Sequence, residues 1–361
     1  MKKVLMGTTA LVAMGAWAVS PAAAAEEKIS IAVGGYYESV VSFVDQSFDD
    51  PTIDMHEINV RQEGEIQFKG ETTLDNGLTI GVNVQLEAVT QNDQLDEQYV
   101  YFSGEFGRVI VGAENSAAYL MGYSAPSVGL GVNSPNFFLF SPQSSAPTAN
   151  FVTFVSDANK LTYFSPRFSG FQLGLSYTPN IDVRGGDRQT FGLNTDGDIG
   201  DQSDIFGIGL NFVNSFNGFD VAVSGTYELG SLEANNGAGT FDDRTQWQVG
   251  ANVGFAGFTI GGSYGVDDNG LAGSFEDTGY DLGVSYETGP WGVSIAWLHT
   301  EQEFAGVSQD DELDLMELGA SYALGPGITI TGSIQRFDED SSVVNDRSDG
   351  WAAAMQSKLS F

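Results

Sequence analysis

Carboxylates, a few cations and very little else are what this sequence offers for chemistry. The chain carries 48 Asp and Glu against 14 Lys and Arg, with two His and no Cys. Without Cys there is no thiol nucleophile, no Cys-based zinc site and no disulfide framework. His56 and His299 stand in no constellation with a nucleophile or a paired Asp, so the chain is expected not to be an enzyme. No phosphate loop, dinucleotide fingerprint or metalloprotease helix is present. Two arrangements remain. In an extended segment, Arg61, Glu63, Glu65 and Lys69 share one face, while Ile58, Val60, Ile66 and Phe68 share the other. Side chains on such a face recur at roughly 7 Å. Asp196, Asp198 and Asp201 open a series of acidic clusters whose oxygens suit Ca²⁺. They lack the Gly and Glu of an EF-hand loop, so a solvated, cation-attracting rim is the stronger reading.

The elements that position these residues are strands. Trp291, Val293, Ile295 and Trp297 alternate with Gly292, Ser294 and Ala296; Tyr280, Leu282, Val284 and Tyr286 alternate with Asp281, Gly283 and Ser285. This period of two marks half-buried β-strands. Sixteen such segments are expected, near residues 28–38, 56–69, 77–89, 97–104, 107–114, 159–167, 170–178, 204–215, 218–228, 245–255, 257–266, 278–287, 291–300, 312–324, 327–337 and 350–361. Tight Gly-containing turns such as Phe216-Asn-Gly218 alternate with long polar connections such as 179–203, 230–244 and 338–349. Short turns on one rim and long loops on the other are the pattern of an up-and-down antiparallel barrel.

Residues 1–25 read as a cleaved signal peptide: Lys2 and Lys3, an apolar stretch, then Ala-x-Ala sites. The mature barrel is expected over 26–361, with a formal charge of −36 once both lysines are removed from the −34 of the whole chain. Such acidity repels phosphate backbones, so no nucleic-acid partner is expected. No later apolar stretch is long enough for a membrane helix, which leaves a soluble β-protein or a closed transmembrane barrel. Aromatic pairs decide between them. Phe171 and Tyr177, Phe219 and Tyr227, Trp247 and Phe255, Phe258 and Tyr264, Tyr280 and Tyr286, Trp291 and Trp297, and Trp351 and Phe361 bracket apolar faces. At a tilt of about 40° these pairs lie roughly 15–26 Å apart in height, close to the ~25 Å apolar band between aromatic girdles. A soluble sandwich has no use for aromatics at both ends of its apolar face. Small residues on the opposite faces suggest an open, water-filled interior.

With these features in place, the chain resembles the general diffusion porins of Gram-negative bacteria, of the 16-stranded proteobacterial type. The carriers are the leader, Ile29-Ser-Ile-Ala-Val-Gly-Gly-Tyr36, Tyr99-Val-Tyr-Phe-Ser-Gly-Glu-Phe-Gly107 running into Val109-Ile-Val-Gly112, the long segment after the fifth strand, and the terminal Phe361. The resemblance implies an outer-membrane homotrimer with one pore per subunit. It implies a third loop folded inward as the constriction, and a C-terminal Phe361 that addresses the barrel-assembly machinery. Contacts with outer-membrane lipid and lipopolysaccharide belong to the same expectation.

The segment from Asn115 to Ser156 contains no Asp, Glu, Lys or Arg and is rich in Phe, Tyr, Leu, Pro and Ser. A solvated loop does not look like this, and structureless stretches of such length are usually functional. It is expected to pack on the inner wall, with a subunit contact or a cap over the barrel as the rival placement. Tyr119, Tyr123, Asn136 and Phe137 are its candidates at the constriction, and Glu114 stands at its edge. Arg61, Glu63, Glu65, Lys69, Glu87 and Arg108 are the candidate wall charges, Arg61 matching a position where the family places an arginine. Two departures stand out. The family's loop usually supplies acids, and Gly112 is followed by Ala113 where Arg is common. The function read from the sequence is passive diffusion of small hydrophilic solutes and ions, cation-preferring, with a sugar- or solute-selective channel as the alternative.

Overall fold

The computed structural model describes residues 29–50, 52–89, 95–134, 139–150, 152–184, 197–237, 239–273, 275–304, 310–341 and 346–361. The strands are β1 (Ala32–Phe48), β2 (Ile58–Thr73), β3 (Thr79–Glu87), β4 (Leu95–Gly104), β5 (Gly107–Ala113), β6 (Asn159–Phe164), β7 (Phe171–Asn180), β8 (Gln202–Phe216), β9 (Phe219–Leu232), β10 (Arg244–Phe255), β11 (Phe258–Asp267), β12 (Asp277–Thr288), β13 (Trp291–Gln302), β14 (Asp311–Gly325), β15 (Ile328–Ser341) and β16 (Asp346–Ser360). A short helix, α1 (Ala117–Met121), follows β5. Each strand pairs antiparallel with its neighbours in sequence, and β1 pairs with β16 to close the barrel. Closure leaves no strand edge, so backbone polar groups find partners without water.

The alternation sorts side chains by face. Leu282 is 54% exposed and its neighbour Asp281 only 5%. Val249, Val253, Ile260, Val293, Ile295 and Leu318 are likewise exposed, while Gln248, Asn252, Ser294 and Glu317 are buried. Apolar residues therefore face outward and polar ones inward. Aromatic contacts ring the outer surface at two levels. Phe219–Phe255, Phe258–Tyr286 and Trp291–Tyr322, with centroids 4.3–4.5 Å apart, lie beside the short turns. Tyr177–Phe206, Trp247–Tyr264 and Tyr280–Trp297, at 4.9–5.6 Å, lie toward the opposite rim.

The short turns use positive φ where the strand twist asks for it. Asn217-Gly218 has φ of +51° and +88°, and Ala256-Gly257 has +51° and +90°. Both central residues are left-handed, as in the two-residue hairpins that match sheet twist. The chain end joins the same rim: Gly35 and Phe361 exchange backbone hydrogen bonds of 3.0 Å.

All sixteen expected strands are present, with shifted ends. β1 runs to Phe48 rather than 38, because Val40 and Val44 are apolar on the inward face and hide the period. β15 and β16 extend until only 342–345 remain of the long connection expected at 338–349. Acids assigned there to a solvated loop instead pair across strands: Arg347–Asp338 at 2.9 Å and Arg336–Asp349 at 2.6 Å. The leader expected at 1–25 lies outside the described residues.

Candidate functional site

The segment between β5 and β6 meets the inward-facing side chains of the wall in two tiers. Ser116 caps α1, its hydroxyl accepting from the Tyr119 N–H at 3.1 Å, and the helix packs on β7, β8 and β9. From there the Tyr123 N–H donates to Ser224 (2.9 Å), Ala125 N–H to Asp281 (2.7 Å) and Val128 N–H to Ser294 (3.0 Å). Leu130, Gly131 and Val132 then reach Glu317 of β14, and the Ser141 N–H reaches Gln46 of β1 (3.0 Å). The return runs nearer the long-loop rim. Ser145 N–H donates to Asp311 (2.7 Å), the Thr300 hydroxyl to Pro147 O (2.5 Å), and the Thr153 and Phe154 N–H groups to Gln246 (2.9 Å each).

The wall is built to receive a main chain. A Cβ at Gly250 would fall on Tyr123 O, at Gly283 on Pro126 O, and at Gly319 on the backbone of Gly129. At these three glycines the small residues of the inner face make room for this segment. Apolar inward residues follow the same logic. Val40, Val44, Leu298, Leu313, Leu315 and Phe337 are buried with Leu130, Val132, Leu139 and Phe140 of the segment. Phe140 stacks on Phe337 with centroids 4.2 Å apart. An uncharged segment demands apolar partners, and so the inner face is not uniformly polar.

The segment's neck is held by Lys160, the register partner of Gly112. Its ammonium donates to the carbonyl of Glu114 on one side and to those of Ser156 (2.7 Å) and Ala158 (2.6 Å) on the other. Sequence reading missed this residue. The signal was available: a lone Lys closing a long charge-free stretch. Glu114, expected at the passage, is buried at this neck beside Glu97, and burial pushes its carboxyl above the ordinary carboxylate range.

The expected wall charges lie on β2, β3 and β5. Arg61, Glu63, Glu65 and Lys69 share the inward face of β2, since Ile58, Val60 and Ile66 are exposed outside. The Tyr36 hydroxyl lies 3.0 Å from Glu63 and 2.8 Å from Glu65. Glu87 stands opposite Glu65, and the carboxylates of Glu63, Glu65 and Glu87 come within 4.8 Å of one another. The Arg108 guanidinium lies 4.0 Å over the Tyr101 ring, whose hydroxyl donates to Glu71 at 2.6 Å. Tyr99 and Tyr101 add two inward rings, centroids 6.5 Å apart; the sequence reading quoted them within a family motif but not as wall residues. Tyr119 and Tyr123 are half-buried. Asn136 and Phe137 lie outside the described residues, as does Asp196 of the proposed Ca²⁺ cluster. Among the described residues the close acidic group is Glu63, Glu65 and Glu87, not Asp198 and Asp201. Phe361 is 63% exposed on the outward face.

A closed barrel that is greasy outside, with charges and a packed segment inside, defines a membrane-spanning channel protein. The chain belongs to the Gram-negative porin family, whose model matches residues 7–342. It is therefore an outer-membrane channel for passive diffusion, and its family and fold are those of channels rather than enzymes. The fold is similar to that of the anion-selective porin from Comamonas acidovorans, at TM-score 0.59 and 16% identity over 92% of this chain and 100% of that one. It is also similar to the trimer form of OmpT of Vibrio cholerae, at TM-score 0.60 and 11% identity over 93% and 100%. An uncharacterised protein of Rickettsia typhi is 25% identical over 251 residues, 56% of this chain; the chain spans 55% of that relative's length.

Proposed function

We propose that the chain is a general diffusion porin whose passage is narrowed by residues 115–156 and bordered by the mixed charges of β2 to β5. The observation that carries this reading is the charge-free segment hydrogen-bonded to the inward side chains from β7 round to β1, facing a wall that bears Arg61, Glu63, Glu65, Lys69, Glu87 and Arg108. Solutes cross by diffusion, with a size limit set between segment and ladder. Charges in a narrow, low-dielectric passage act on ion entry more strongly than charges on an open surface.

The passage is cation-preferring. Carboxylates outnumber cations on the inward faces of β2 to β5, where Glu63, Glu65, Glu71, Glu87 and Glu97 accompany Arg61, Lys69 and Arg108. The Comamonas neighbour is described as anion-selective, so fold alone does not decide selectivity. Reversal potentials across a salt gradient in planar bilayers test the point: a shift toward the cation potential is expected, and a shift toward the anion potential overturns it. The inward rings of Tyr99 and Tyr101 favour a second reading, a sugar-selective channel. Saturable block of the current by one sugar is its signature.

The protein is exported by a signal peptide over residues 1–25, leaving a barrel over 26–361. It assembles as a homotrimer, as the OmpT neighbour does in its trimer form. Phe361 addresses the assembly machinery, and the acidic long-loop rim meets lipopolysaccharide through divalent ions.

A further inference from the structure

We infer that Glu317, on the wall of β14, is the principal positioning residue for the segment that narrows the passage; this rests on the constriction reading above. Glu317 is 1% exposed. It accepts three successive backbone N–H groups of the segment, from Leu130 (2.8 Å), Gly131 (2.6 Å) and Val132 (3.3 Å). The Ser127 hydroxyl (3.0 Å), the Gln335 amide (3.1 Å) and the Ser333 hydroxyl (2.5 Å) complete the set. Consecutive main-chain amides converging on one oxyanion form a nest, and charge-assisted bonds of this kind are the strong ones.

The sequence around the contact serves the same end. A Cβ at Gly129 would overlap the Glu317 carboxylate, and one at Gly131 would overlap the Gln335 amide. Gly319 clears the wall for the backbone of Gly129. The segment carries no charge of its own, so its donors are N–H and O–H groups, and a buried acid is their strongest acceptor. Asp281, Asp311 and Glu339 take further segment amides, from Ala125 (2.7 Å), Ser145 (2.7 Å) and Gln143 (3.2 Å). Glu317 collects the most and sits where the outbound tier is farthest from its anchored neck. Glu317, Asp281, Asp311 and Glu339 are thereby engaged in holding the segment, and selectivity falls to the charges of β2 to β5.

The test uses the full-length protein in planar bilayers, with SDS-resistance of the barrel checked for each variant. Glu317→Gln keeps the volume but places an amide N–H against the nest. It is expected to raise mean single-channel conductance roughly two- to threefold and to increase open-channel noise, because an unpinned lining leaves more of the water-filled lumen free. Glu317→Asp returns part of the way. A disulfide then separates positioning from general damage. A Cβ at Gly292 would lie 3.2 Å from a Val128 methyl and 2.6 Å from the Ser321 hydroxyl, so Val128→Cys with Gly292→Cys can bridge once the Ser321 side chain turns aside, and the chain has no other Cys. In the Glu317→Gln background, oxidation should restore wild-type conductance and reduction should release it. Unchanged conductance and noise in Glu317→Gln, or no restoration on oxidation, overturns the inference. Tyr123→Cys labelled with a cationic methanethiosulfonate checks the underlying reading. If labelling leaves the current untouched, the segment does not border the passage and both readings fall. If labelling blocks while Glu317→Gln does nothing, only the role of Glu317 falls.

Discussion

Placing Arg at Leu282 gives the sharpest test of which side of the wall meets hydrocarbon. Leu282 is 54% exposed and lies on β12 between the girdle residues Tyr280 and Tyr286. It is one residue from their midpoint, which at about 3.4 Å per residue and a tilt of about 40° is roughly 2.6 Å in height. An Arg so close to the midplane of a transmembrane barrel costs about 2–4 kcal/mol. At about 1.4 kcal/mol per tenfold, Leu282→Arg lowers the folding equilibrium in lipid by roughly 30- to 700-fold. Thr259→Arg on the adjacent β11 is the control, since Thr259 is half-buried on the inward face beside the outward Ile260. Its guanidinium enters water and should cost within about 1 kcal/mol, as surface changes generally do. Urea titration of both variants refolded into phospholipid vesicles measures the difference. Equal losses, or a larger loss at Thr259, would mean that the outward face does not contact lipid.

Two further outcomes follow from the segment's neck. Lys160→Met keeps bulk but strips three carbonyls of their donor, each lost partner being worth about 1–3 kcal/mol; conductance and current noise should rise while the barrel persists, and a quiet wild-type current would refute the clasp. Glu114 is held protonated to higher pH than in the unfolded chain, so the native state binds more protons and stability falls as pH rises through and above the ordinary carboxylate range. Glu114→Gln should therefore raise the melting temperature in detergent at pH 8 and leave it nearly unchanged at pH 4.

Strands were legible because their period of two is imposed by hydrocarbon on one side and water or polar protein on the other. It failed at Val40-Val41 and Phe43-Val44, where the inward face is apolar too, and the reading of β1 stopped short there. The charge-free character of 115–156 was legible as something packed rather than solvated. Its docking was not. Glu317 sits between Met316 and Leu318 like any inward polar residue, and nothing local marks it as an anchor. The pairing becomes visible only when the wall of β14 is brought against Gly129 to Val132, which lie more than 180 residues away in sequence. The docking was hidden too in the small inward residues, read together as leaving room: at Gly250, Gly283 and Gly319 that room is taken by backbone from elsewhere.

Those three wall glycines also decide what kind of aperture the molecule can have. At each, two polypeptide backbones lie against one another with no cushion between, so no rotamer can swing aside to admit a larger molecule. Along that arc the spacing of segment and wall is fixed by the thickness of main chain, and adjustment is left to the side chains that reach into the passage, the longer ones of the facing ladder above all. The aperture is thus stiff on one flank and compliant on the other, and substitutions on the compliant flank are the ones that tune what passes.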